Sequence, residues 1–63
     1  MPIIQIQILE GRSEETVEVL IENVTNSVSE TLNTPTDNIR VIVTEVPNTH
    51  WGRAGKPMSK IKK

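Results

Sequence analysis

Two short runs of β-branched residues, separated by one helix-length apolar stripe, leave this chain few ways to fold. Residues 3–9 read IIQIQIL. Ile4, Ile6 and Ile8 fall on one face and Ile3, Gln5, Gln7 and Leu9 on the other, the period of two that marks a strand. The second face is mixed, so one copy of the chain covers it only in part. EGRS then breaks the strand, with Gly11 as the turn residue. Ser13 suits a helix N-cap, and Glu14 and Glu15 fall in the first turn, where the helix dipole favours negative charge. Val17, Leu20, Ile21, Val24, Val28 and Leu32 then recur on one helix face about four to five turns long, with Val19 off the stripe. Asn33, Thr34 and Pro35 stop the helix. Residues 39–46, IRVIVTEV, form a second strand. It is apolar on both faces apart from Arg40, Thr44 and Glu45, as expected of a strand covered on two sides.

Strand, long helix and strand make a βαβ unit, with parallel strands and a right-handed crossover. The expected fold is α+β, a single domain over residues 1–63. One helix covers one face of a two-stranded sheet, and a second copy of the chain would cover the other. The remaining segment, PNTHWGRAGKPMSKIKK, carries Gly52, Gly55 and two prolines. It is too irregular for a helix and suits a short C-terminal hairpin, or an arm lying on a neighbouring subunit.

Size makes self-association the expected source of stability. An unfolded chain of this size exposes roughly 10,300 Å², and a compact monomer would still expose roughly 4,100 Å². The apolar share of the difference is worth roughly 90 kcal/mol at ~25 cal/mol per Å². Ordering 63 residues costs roughly 95 kcal/mol, so a lone copy is marginal. Small domains close such a gap with disulfides, metals or partners. There is no Cys, and His50 is the only His. That excludes disulfides and leaves no ligand set for a soft metal. Eight Ile, seven Val and three Leu supply nearly all the core, and Trp51 is the only aromatic residue. A net charge of −1 argues against a nucleic-acid partner. No apolar run approaches the ~20 residues of a membrane span. No signal-peptide pattern is present, since the first cationic residue is Arg12, so the expected location is cytoplasmic.

Few residues offer chemistry. No nucleophile–base constellation is visible: His50 has no Ser or Asp partner by spacing, and Gly52 and Gly55 form no phosphate loop. The glutamates read as solvated surface and helix-start charges. Pro2 is a natural strand start, where a missing N–H does no harm. It also follows Met1, and trimming of that methionine would leave Pro2 with a free secondary amine. Two arginines stand at element ends. Arg12 sits in the turn after the first strand, and Arg40 lies within an otherwise apolar strand. A charge there pairs with a carboxylate, lines an interface or holds an anionic ligand. In parallel strands Arg40 starts at the same sheet end as Pro2.

Three pieces of the sequence together resemble the 4-oxalocrotonate tautomerase family, of the tautomerase superfamily whose members use an amino-terminal proline. They are PIIQIQILEGRS from Pro2 to Ser13, IRVIVTEV from Ile39 to Val46, and HWG from His50 to Gly52. The closing SKIKK is similar to the family's basic tail, and the match spans the chain. The resemblance implies a ketoenol tautomerase. It would convert a 2-hydroxydienoate, a 2-hydroxymuconate-like dicarboxylate, to its unsaturated 2-oxo isomer during aromatic hydrocarbon catabolism, with no cofactor or metal. Pro2 matches the catalytic base. Arg40 matches the arginine that holds the substrate carboxylate and oxo or enol oxygen from a neighbouring subunit. Arg12 matches the one that grips the distal carboxylate. Trp51 stands where the family's aromatic keeps the amine's surroundings apolar. The family's assembly, a homohexamer built as a trimer of dimers, would answer the stability deficit.

Two positions depart from the pattern. Arg53 follows HWG where a small or apolar residue is expected. It either adds a third cation near the pocket or points to solvent. Trp51 is larger than the family's Phe. Two other functions fit less of the chain. Related proline-dependent hydratases and dehalogenases need a group to activate water, and no dedicated carboxylate is evident. A non-catalytic oligomerisation module would not need Pro2, Arg12, Arg40 and Trp51 together.

Overall fold

A computed structural model describes residues 1–61. Lys62 and Lys63, the end of the basic tail, lie outside the described residues. Strand β1 runs Ile3–Leu9, helix α1 Glu14–Leu32 and strand β2 Arg40–Val46. A short antiparallel hairpin follows, β3 at Gly52–Arg53 and β4 at Lys56–Pro57. Single 3₁₀ turns at Thr36–Asn38, Asn48–His50 and Met58–Lys60 join or end these elements. The expected βαβ unit and C-terminal hairpin are both present.

Local chemistry fixes the helix ends. The Ser13 hydroxyl accepts from the Thr16 backbone N–H at 3.2 Å, closing one of the donors that a helix start leaves open. At the other end Asn33 takes the left-handed conformation (φ 54°), a role its short polar side chain tolerates. The Thr34 N–H reaches back to the Ser29 carbonyl at 3.1 Å, and the Ser29 hydroxyl donates to the Thr34 carbonyl at 2.6 Å. Gly11 turns the chain out of β1 with φ 124°, a conformation open to glycine and costly for other residues.

β1 and β2 pair in parallel, Ile3 opposite Arg40 and Leu9 opposite Val46. Ile4, Ile6 and Ile8 share one face with Val41 and Val43, and all five are half-buried. The opposite face carries Ile3, Gln5, Gln7, Arg40, Ile42 and Thr44, all exposed. Only at its far end, where Leu9 and Val46 are half-buried, is that face sheltered. Two details of the sequence reading change. The apolar helix stripe stops short of Leu32, which is 59% exposed, because the helix overruns the end of the two short strands. Ile39 precedes β2 and caps the 3₁₀ turn instead of opening the strand. It is the one buried hydrophobic residue among those described, at 6% exposure.

A single copy is not compact. Its accessible surface is 5166 Å², about a quarter above the roughly 4,100 Å² of a compact monomer of this mass. Its radius of gyration is 14.7 Å, against about 10.6 Å for a globule of this length. On the uncovered sheet face Ile42 is 48% and Ile3 61% exposed. Among the described residues no helix is long and apolar enough to cross a membrane.

Candidate active site

Pro2 stands at one corner of the sheet, immediately before β1. Its carbonyl accepts a 3.1 Å hydrogen bond from the Arg40 backbone N–H. The parallel register makes this contact necessary: with Ile3 opposite Arg40, the ladder's next bond falls on Pro2. Proline costs nothing there, because the ladder asks for its carbonyl and not for a donor. The expectation that Arg40 starts near Pro2 is met at the level of the backbone.

The Arg40 guanidinium folds over the turn that feeds β2. Its Nη1 donates to the Asp37 carbonyl at 2.6 Å and to the Ile39 carbonyl at 3.3 Å. These are neutral acceptors, so the charge is oriented and not cancelled. The guanidinium keeps further N–H donors for an anion.

Arg12 occupies the other end of β1. Its Nη1 donates to the Leu9 carbonyl at 3.0 Å, three residues back across the turn. β1 has seven residues, and at about 3.3 Å per residue its ends lie about 20 Å apart. Arg12 and Pro2 of one copy therefore do not meet. Arg12 is held by one backbone carbonyl and Arg40 by two, at opposite ends of the same sheet.

Trp51 lies at the Arg12 end. After β2 the chain turns through Asn48–His50 and folds back over the end of the uncovered sheet face. Gln7, Val46, His50, Trp51 and Gly52 line an open cleft of about 360 Å³ there. The Met58 N–H donates to the Trp51 carbonyl at 2.8 Å, tying the cleft wall to the far side of the hairpin. His50 is exposed, and its Nδ1 lies 2.8 Å from the Thr49 hydroxyl. The sequence reading picked out Trp51 but not Gln7 or Val46 as lining residues. The signal for Gln7 was its polar place on the mixed face of β1. For Val46, an apolar strand end, there was none.

One copy thus holds the four candidate residues in two separate groups. Pro2 and Arg40 form one, at the start of the parallel strands. Arg12 and the Trp51 cleft form the other, at their end. A proline amine and two guanidinium groups around one small anion would allow proton transfer with charge stabilisation. Within this sheet that grouping requires more than one copy.

Comparison with known proteins bears on the reading directly. The sequence profile of the family described as "Tautomerase enzyme" matches residues 2–61. A 2-hydroxymuconate tautomerase of Pseudomonas putida is 49% identical over 61 residues, covering 97% of each chain. Among solved structures, a 4-oxalocrotonate tautomerase homologue of the tomaymycin biosynthetic pathway superposes with a TM-score of 0.91 at 41% identity, covering 94% of this chain and 91% of its own. A heterohexameric 4-oxalocrotonate tautomerase from Chloroflexus aurantiacus J-10-fl gives 0.92 at 32% identity, covering 98% of this chain and all of its own.

Proposed function

The chain belongs to the tautomerase enzyme family and is an isomerase, and we propose that it converts a 2-hydroxydienoate bearing two carboxylates into its unsaturated 2-oxo isomer, with the Pro2 amine as general base. The carrying observation is the bond between the Arg40 N–H and the Pro2 carbonyl. It fixes the residue whose nitrogen would act at a rigid sheet corner, beside a strand that bears a guanidinium. A base held on a regular element is better positioned than one on a loop.

Removal of Met1 turns the Pro2 nitrogen from an amide into a secondary amine. A free α-amino group titrates near 7.7–8.0 in model compounds, and a base working at neutral pH must be largely unprotonated. Nearby guanidinium groups and an apolar wall both disfavour the ammonium form. In the reaction the amine takes the proton of the 2-hydroxyl, and the O–H bond breaks. Electron density moves through the diene, and the same nitrogen returns a proton to the far carbon, forming a C–H bond. The product is an isomer of the substrate, so no other reactant is consumed.

Arg40 takes the carboxylate and oxygen at the 2-position, where negative charge develops. Preorganised donors at that point stabilise the dienolate more than the ground state. Arg12 takes the distal carboxylate, and Trp51 provides the apolar wall. Because Arg12 and Trp51 stand about 20 Å from Pro2 within one sheet, the working site is shared between copies in a homo-oligomer, a hexamer in this proposal. The half-covered sheet face and the excess surface of the single copy support that assembly.

The test is spectrophotometric. Added to a 2-hydroxydienedioate, the protein should collapse the dienol absorbance far faster than buffer does. Decay at the buffer rate would rule out this substrate class.

A further inference from the structure

Charge is distributed unevenly along the chain. Residues 1–45 hold all eight acids and two of the seven cations. Residues 46–63 hold the other five cations, Arg53, Lys56, Lys60, Lys62 and Lys63, and no acid. This cationic segment also carries Trp51 and Gly52, the outer wall of the cleft.

The hairpin concentrates the charge. Arg53 and Lys56 are directly opposite each other across β3 and β4, and both are exposed. The register leaves only Ala54 and Gly55 between them, with φ values of 53° and 83°. Two positive φ values in a two-residue loop give a tight type I′ turn. Like charges directly opposite one another weaken a strand pair, and an alanine in the left-handed region adds strain. Among the described residues, the arginine side chains that donate hydrogen bonds are those of Arg12 and Arg40. Arg53 thus stands outside the machinery assigned so far. It follows Gly52, a cleft-lining residue, and consecutive Cα atoms lie about 3.8 Å apart. The backbones of both residues therefore lie beside the cleft wall, Arg53 one residue from Gly52 and Lys56 paired with Arg53, and the Debye length at physiological salt is about 8 Å.

Resting on the reading of the cleft as half of a tautomerase site, we propose that Arg53 and Lys56 form a cationic gate that selects doubly charged over singly charged substrates. The pair acts by raising the local concentration of dianions at the cleft, as a patch of one sign does beside a low-dielectric wall. It makes no contact with the reacting atoms. Its effect appears in KM and kcat/KM, falls with salt, and scales with the number of charges on the substrate. Arg53 and Lys56 are specificity-determining residues in this account, not catalytic ones.

The test compares wild type, R53Q/K56Q and the charge-preserving exchange R53K/K56R. Each is assayed on a 2-hydroxydienedioate and on the matching 2-hydroxydienoate with one carboxylate, at low and at high ionic strength. For R53Q/K56Q, kcat/KM on the dianion should fall about three- to tenfold at low salt, the range expected for two screened charges. On the monoanion, with half the charge, it should fall only by about the square root of that loss, roughly 1.7- to threefold, and high salt should remove the difference. kcat should hold, R53K/K56R should retain the wild-type preference, and sedimentation should be unchanged. An equal loss on both substrates, a loss insensitive to salt, or no loss overturns the gate. Dissociation of R53Q/K56Q into smaller species also overturns it, assigning the pair to contacts between copies. A wild type inactive on both substrates overturns the tautomerase reading and the gate with it. An active wild type with an indistinguishable double variant overturns the gate alone.

Discussion

The backbone N–H of Arg40 donates to the carbonyl of Pro2 at 3.1 Å, so the proposed base and the Arg40 of its own copy share a sheet corner. The other arginine, Arg12, is bound to the Leu9 carbonyl at the opposite end of the same strand. That separation assigns different work to the two cations. Arg40→Ala should lower kcat by about 10²–10³-fold, the usual cost of losing a donor at a developing oxyanion. Arg12→Ala should mainly raise KM, by about tenfold or more for a charge-assisted hydrogen bond to a carboxylate. Steady-state kinetics on a dicarboxylate substrate separates the two, and small equal effects would contradict the assignment.

Sharing of the site predicts complementation. Arg12→Ala and Arg40→Ala chains, unfolded together and refolded as mixed oligomers, should reach a higher kcat/KM than either shows alone. With random assembly about a quarter of the sites would draw both intact arginines from different copies. Mixtures no more active than the separate variants would place both arginines of a site on one chain.

The uncovered sheet face predicts obligate assembly. Ile42 is 48% exposed in a single copy, and substitutions at such exposed positions usually change stability by less than about 0.5 kcal/mol. If the face is buried against another copy, Ile42→Glu should dissociate the protein or abolish folding. Sedimentation at micromolar concentration should find the wild type as an oligomer. A folded wild-type monomer would contradict this.

The hairpin turn predicts a stabilising substitution. Ala54 has φ 53°, a conformation costing about 1–2 kcal/mol for a residue with a Cβ. Glycine removes that strain and gives back about 0.4–1 kcal/mol through its freer unfolded state. Ala54→Gly should therefore gain about 0.5–1 kcal/mol net. A thermal melt of the variant, with its midpoint raised by a few degrees, checks it. An unchanged or lowered midpoint would contradict it.

The regular elements were legible because their signals are local. Alternation in IIQIQIL, the Ser13 cap and the Val17–Val28 stripe each fixed an element without reference to the rest of the chain. The parallel direction of the strands followed from the long crossover, and with it the placing of Pro2 and Arg40 at the same end of the sheet. Leu32 was misjudged because periodicity records which face a residue takes, not whether a strand extends far enough to cover it. Ile39 looked like strand by composition, yet the 3₁₀ turn from Thr36 uses its N–H, a competition that only the folded backbone reveals. The cleft beside Trp51 was invisible for a related reason: Gln7 and His50 are 43 positions apart and meet only when the tail folds back over the sheet. The candidate residues stood out by type, but the distance between the Pro2 and Arg12 ends needed the register.

The central claim is that the Pro2 nitrogen is the base, and a paired assay tests it most directly. One preparation retains Met1 and the other lacks it, each verified by intact mass and by sedimentation as the same assembly. Both are given a 2-hydroxydienedioate across a range of pH. The Met1-free protein should collapse the dienol band, with a rate that rises with pH as the ammonium loses its proton. Arg40→Ala should move that rise to higher pH, since removing a nearby cation favours the ammonium. The Met1-retaining protein should be nearly inactive, because an amide nitrogen has no usable lone pair. Equal rates from the two preparations would contradict the account and remove Pro2 from the chemistry.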